Sequence, residues 1–177
     1  TLFRSMSTMK VLICQEIKNL VWEVRERPVP GDNEALIKIK TVGICGTDIH
    51  AWAGNQPFFS YPRVLGHEIC GEIIESGKNI HNFNIGQQVA VIPYISCQQC
   101  PACKSGRTNC CEKISVIGVH QDGGFSEYLS VPVANILPAD GIDPQAAALI
   151  EPFAISAHAV RRAAIAPSEQ VLVVGAG

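Results

Sequence analysis

The sequence is short of charge. Only 17 % of its 177 residues are Asp, Glu, Lys or Arg, and the 14 basic residues do not outnumber the 16 acidic ones. At a formal net charge of -2 there is no basic excess to neutralise phosphates, so nucleic acid is not an expected partner. Long apolar runs are missing too. The longest, Ala146 to Ile150, falls far short of the roughly 20 residues that span a bilayer, so no membrane association is expected. No charged-then-apolar leader is present, so a secretory signal is not expected and a cytoplasmic location is.

What the chain does have is apolar content and cysteine. Apolar residues make up 47 %, enough for a real core and too much for a disordered chain. There are 8 cysteines without an export signal, which favours metal ligation over a disulfide framework. The length suits one good domain and part of another.

Residues 1–9 read as a leader remnant around Met6. Val11 to Cys14 and Leu20 to Val24 predict a hairpin, and Pro28 and Pro30 a loop. Ala35 to Val42 alternates as a strand does, Asp48 to Ala53 suits one short helical turn, and Asn55 to Pro62 is an aromatic loop. Ile69 to Ile74, Gln88 to Ile92 and Phe125 to Val131 predict further strands. After Gly141 the pattern changes. Asp143 is a good cap, Pro144 suits a first helical position, and Ala146 to Ile150 and Ala154 to Ile165 read as helices with a break at Pro152. Gln170 to Val174 looks like a buried strand. The order is an all-β domain followed by the opening of an α/β domain.

Cys97, Cys100, Cys103 and Cys111 are spaced C-x2-C-x2-C-x7-C within a lobe, residues 96–112, that has too little apolar content to pack itself. Four thiolates close a tetrahedron around zinc and leave no open position, which defines a structural site. Cys110 is a rival for the fourth place. Two other strings stand out: Gly43-Ile44-Cys45-Gly46-Thr47-Asp48-Ile49-His50 and Gly66-His67-Glu68. Each is weak alone, since a lone buried His or Cys is commonly a packed core residue.

Taken together, Cys45-Gly46-Thr47-Asp48, Gly66-His67-Glu68, the four-cysteine lobe, Gly123-Gly124-Phe125-Ser126-Glu127-Tyr128 and the closing Val173-Val174-Gly175-Ala176-Gly177 resemble the zinc-containing medium-chain dehydrogenases. The resemblance runs in order over nearly all of Val11 to Gly177. It implies a mainly β GroES-like catalytic domain over 10–150, carrying the zinc lobe, and the truncated start of an α/β Rossmann domain over 151–177. It implies two zinc ions per chain, an NAD or NADP cofactor, a small-molecule substrate and a homo-oligomer.

By the same resemblance, Cys45 and His67 correspond to ligands of a catalytic zinc, and Cys111 is the fourth lobe ligand. Alcohol dehydrogenases complete the catalytic set with a later cysteine. This sequence has Glu151 there, as the polyol and threonine dehydrogenases do, so Glu68 and Glu151 are both candidate ligands. Thr47 corresponds to a hydroxyl relay, and His50 is placed to continue it. Trp52, Phe58 and Phe59 are expected to line the substrate pocket, with Arg63 offered as a partner for a substrate carboxylate. Sugar acids, polyols and hydroxy amino acids all suit such a site. The strings 33–38, 52–60 and 116–124 are similar to a sugar-acid-oxidising branch of the family. Gly175 and Gly177 open a G-x-G turn that presents a helix N-terminus to the cofactor pyrophosphate. The chain is accordingly expected to end at the threshold of its cofactor domain, to bind zinc, and neither to bind NAD tightly nor to turn over by itself. Two other classes remain open: a zinc-binding module without catalysis, and a zinc-free quinone-reductase relative.

Overall fold

The computed structural model describes residues 7–57 and 59–175. Phe58 and Gly177, both expected site residues, lie outside them.

The predicted hairpin forms from β1 (Thr8–Glu16) and β2 (Asn19–Glu26), paired antiparallel. Val11, Ile13 and Cys14 are buried, whereas β2 alternates half-buried and exposed residues along one open edge. Thr8 and Met9 pair with Glu26 and Arg25, so the strand claims the last two residues of the expected leader. β3 (Glu34–Gly43) follows, and then α1 (Gly46–Ala53). β4 (Arg63–Val64) adds to the hairpin, giving a three-stranded sheet in the order β2-β1-β4.

The main sheet adds β5 (Glu68–Ser76), β6 (Gln88–Val91), β9 (Tyr128–Pro132) and β10 (Ile136–Pro138) to β3, in the order β10-β6-β5-β3-β9. Its core is Ala35, Ile37, Ile69, Ile73, Val89, Val131 and Ile136, with Ile117 packed in from a connecting segment. β9 starts at Tyr128, three residues later than the alternation suggests. Phe125 and Ser126 are engaged elsewhere: Leu12 N–H donates to the Phe125 carbonyl at 2.8 Å, and Ser126 bridges to Val11. These contacts tie the two sheets together.

The cysteine lobe is closed at its base by a two-stranded pair, β7 (Tyr94–Ile95) and β8 (Ser115–Val116). Inside it lie α2 (Pro101–Lys104) and a 3₁₀ turn at Thr108–Cys110. Its buried residues are cysteines, with Ala102 and Ile114 half-buried against them, so the lobe has almost no apolar core.

α3 (Pro144–Ala148) starts as expected, with Asp143 Oδ1 accepting from the Gln145 and Ala146 N–H groups at 2.9 and 3.3 Å. Ala147 and Ala148 then pack on Cys70, Ala90 and Ala139 of the sheet side. α4 (Ile150–Ala163) begins directly after Leu149. Pro152 therefore lies inside a helix instead of breaking one. It falls in the first turn, where the N–H that proline lacks has no intrahelical partner. No residue of α4 is buried, and Phe153 is 74 % exposed.

Gln170 to Val174 is not a strand. The segment has no regular secondary structure and bends at Val174, with Leu172 and Val174 each 86 % exposed. A strand needs a neighbour for its backbone groups, and among the described residues nothing pairs with it. Gly175 is likewise exposed, at φ +79°. No helix among the described residues is long and apolar enough to cross a membrane.

Candidate metal centres

The register of the main sheet builds the first centre. β3 and β5 pair antiparallel with Val42 opposite Ile69 and Gly43 opposite Glu68. β3 leaves the sheet where β5 enters it, so Cys45 and His67 meet at one end of adjacent strands. The Sγ of Cys45, a ring nitrogen of His67 and a carboxylate oxygen of Glu68 all lie within 4.8 Å of one another. His67 and Glu68 are buried and Cys45 half-buried.

Two glycines make the approach possible. A Cβ on Gly43 would collide with the Glu68 carboxylate and come within 2.9 Å of its Cβ, so the strand surface at 43 is a cradle for that acid. Gly66 has φ +89°, and a Cβ there would sit 2.7 Å from the Phe125 ring. Only glycine adopts that backbone without strain.

Asp48 holds the cluster and was not among the expected site residues. It is 4 % exposed. Its Oδ2 accepts from the Cys45 N–H at 2.9 Å, and its Oδ1 accepts from the Gly66 N–H at 3.0 Å. One carboxylate thus fixes both ligand-bearing loops and caps α1 as well. The signal was in the sequence, since an acid three residues after a helix start is a capping pattern. Asp48 Oδ1 also lies 3.6 Å from His67 Nδ1, too far for a hydrogen bond. Burial lowers the pKa of His67, but Asp48 and Cys45 raise it more, to about 9.

His67 Nδ1 is buried with no hydrogen-bond partner. That nitrogen faces Asp48 Oδ1, so the case for a cation rests on the converging ligand atoms of Cys45, His67 and Glu68. The donor set of sulfur, imidazole and carboxylate fits zinc with three protein ligands and one open position.

The other expected members are placed differently. Thr47 Oγ1 accepts from the Cys45 thiol at 3.4 Å. His50 is exposed on α1, one turn beyond Thr47. Glu151 is outside the converging set; its Oε1 accepts from the Tyr94 hydroxyl at 2.6 Å. Burial and then Glu151 push the ionisation of Tyr94 well above the tyrosine range, with Cys45 and Glu68 adding to the effect. Tyr94 was not anticipated, because its partner lies 57 residues away and no local pattern links them.

Trp52 lines an apolar cavity of about 390 Å³ with Leu12, Leu20, Val42 and Ile49, and none of Cys45, His67 or Glu68 lines it. Phe59 packs edge-on to Tyr61, with ring centroids 4.8 Å apart, over the Cys14, Ala51 and Leu65 cluster. The cavity lined by Trp52 also reaches Asp48. Arg63 is engaged by Asp122, with Nη1 3.6 Å from Oδ1, and its Nη2 donates to Ser60 Oγ at 3.3 Å.

The second centre is the lobe. The sulfurs of Cys97, Cys100, Cys103 and Cys111 lie within 4.8 Å of one another, while Cys110 is exposed and apart. The N–H groups of Cys97 and Lys113 donate to Cys111 Sγ at 3.2 and 3.3 Å. Backbone N–H groups of Gln99 and Cys100 lower the Cys97 thiol to about 6, and burial raises Cys103 to about 12. Four thiols crowded together cannot all ionise unless a cation joins them.

A mainly β domain with a closed thiolate lobe and a Cys–His–carboxylate cluster defines a class. Residues 31–141 match the alcohol dehydrogenase GroES-like domain, and the chain belongs to that family. It is 88 % identical over 172 residues to L-galactonate-5-dehydrogenase of Escherichia coli K12, covering 97 % of this chain and 51 % of that protein. Among solved structures, a zinc-binding dehydrogenase from Sinorhizobium meliloti bound to NADP superposes with a TM-score of 0.83 at 37 % identity, over 88 % of this chain and 46 % of that one. The rspB alcohol dehydrogenase of E. coli CFT073, complexed with NADH, gives 0.83 at 39 % identity over the same shares. The chain spans about half the length of the relatives it matches.

Proposed function

We propose that the chain is the catalytic part of a zinc-dependent, NAD(P)-linked alcohol oxidoreductase that oxidises L-galactonate to D-tagaturonate with NAD. The convergence of Cys45, His67 and Glu68 at the end of β3 and β5 carries the reading. The particular substrate is supported by the 88 % identity to L-galactonate-5-dehydrogenase. Polyols and L-threonine are the alternative substrates. A zinc module without catalysis leaves the convergence of Cys45, His67 and Glu68 without a purpose, and so does a zinc-free reductase.

Cys45, His67 and Glu68 would hold one zinc, and Cys97, Cys100, Cys103 and Cys111 the other. A bound zinc would supply Lewis acidity towards a substrate alcohol, and a bound nicotinamide would supply the hydride acceptor. The residues do the rest. Asp48 fixes the two loops so that the ligands need no reorganisation. Thr47 Oγ1, beside Cys45 Sγ, is the proposed acceptor of the substrate hydroxyl's hydrogen bond, and His50, exposed one turn further along α1, is the proposed exit for the proton to solvent. Residues 10–150 form the catalytic domain. Residues 151–177 open the cofactor domain, with Gly175 and Gly177 in its pyrophosphate turn.

The test is NAD reduction by the full-length protein on L-galactonate, other sugar acids, polyols and L-threonine. NADH formation from L-galactonate is expected. Activity on another substrate without any on L-galactonate would overturn the substrate, and no activity on any of them would overturn the enzyme reading.

A further inference from the structure

Tyr94 belongs to none of the motifs, yet it holds a candidate ligand. Its hydroxyl donates to Glu151 Oε1 at 2.6 Å, the short length of a hydroxyl bonded to a carboxylate. The hydroxyl also lies within electrostatic reach of Cys45 and Glu68. Both partners are fixed from behind. Asn135, 8 % exposed, donates through Nδ2 to the carbonyls of Ile92 and Tyr94 at 2.8 and 3.1 Å, and Tyr94 pairs with Val116 across β7 and β8. Glu151 sits in the first turn of α4, directly after the α3 residues Ala147 and Ala148 that are packed on the sheet side.

Glu151 is thus tied by a 2.6 Å bond to a hydroxyl within electrostatic reach of Cys45 and Glu68. If both acids reached the cation, the tetrahedron would close and no position would remain for a substrate oxygen. Only Glu68 is in the converging set. We propose that Tyr94 is a positioning residue that holds Glu151 off the Cys45–His67–Glu68 centre and so keeps its fourth coordination position open. The inference rests on the reading of those three residues as a metal centre.

The test measures zinc affinity of the chain by chelator competition, and cobalt(II) absorption as a readout of ligand number. It compares the wild type with Tyr94→Phe, Glu151→Gln and the double variant. Tyr94→Phe frees Glu151 to ligate, so zinc binds the Cys45 centre about tenfold more tightly, the worth of one hydrogen bond to a charged group, and the cobalt bands shift. In the Glu151→Gln background, Tyr94→Phe has no effect. An unchanged or weaker affinity in Tyr94→Phe would overturn the proposal, as would a tightening that survives in the double variant. The lobe metal, titrated in the same experiment, reports whether each variant is folded. If Cys45→Ser leaves the metal content at the wild-type value, the centre itself is wrong, which is a different failure.

Discussion

Gly43 stands directly across the β3–β5 pair from Glu68, and the Glu68 carboxylate occupies the space that a Cβ at 43 would need. The metal-ligand geometry is therefore written partly into a residue with no side chain. Gly43→Ala pushes the carboxylate out of the cluster. Loss of such support lowers metal affinity by about 10–100-fold at that centre. Zinc titration should show this loss at the Cys45 centre, with the lobe unaffected.

Asp48→Ala removes one buried carboxylate that accepts from two backbone N–H groups. Leaving those donors unpaired costs about 2–4 kcal/mol. Urea unfolding of the metal-free chain measures it. Asp48→Asn keeps one acceptor oxygen and should cost less. Equal losses in the two variants would mean that charge, and not the pair of bonds, holds the loops.

The pH dependence has two opposite slopes. In the metal-free chain the His67 pKa is raised from 6.5 to about 9. The stability this contributes is full below pH 6.5 and is lost as pH rises towards 9. Ligation needs the neutral ring, so zinc affinity at the Cys45 centre rises over that same window. Chemical denaturation and zinc titration at matched pH values check both slopes. Asp48→Asn should flatten the first, because Asp48 is the main cause that raises the pKa.

In the lobe, Cys100→Ser should remove one zinc per chain and destabilise residues 96–112, which have almost no apolar core to fall back on. Cys110→Ser should change neither metal content nor stability, since Cys110 is exposed and outside the cluster. Elemental analysis separates the two.

Chemistry at short spacing was legible in the sequence. The lobe cysteines are a local pattern, and the structure brings their sulfurs together as that spacing implies; that Cys45 meets His67 and Glu68 followed from the family resemblance and not from spacing. The strands and Asp143 as a cap were legible for the same reason. What depends on register or on distant contacts was not. The place of Gly43 against Glu68 follows from two irregularities in the β3–β5 pairing, which no alternation encodes. Tyr94 and Glu151 meet across 57 residues. Gln170 to Val174 has the composition of a strand but no neighbour among the described residues, and composition cannot supply one. Phe59 packs against Tyr61, Ala51 and Leu65, a contact that its place in an aromatic loop does not by itself encode.

The most direct test of the account is the zinc content of the purified chain after dialysis against a trace of the metal, measured alongside Cys45→Ser. Two zinc ions per chain, falling to one in Cys45→Ser, are predicted. A single zinc in the wild-type chain, unchanged in Cys45→Ser, would contradict the claim that Cys45, His67 and Glu68 form a metal centre.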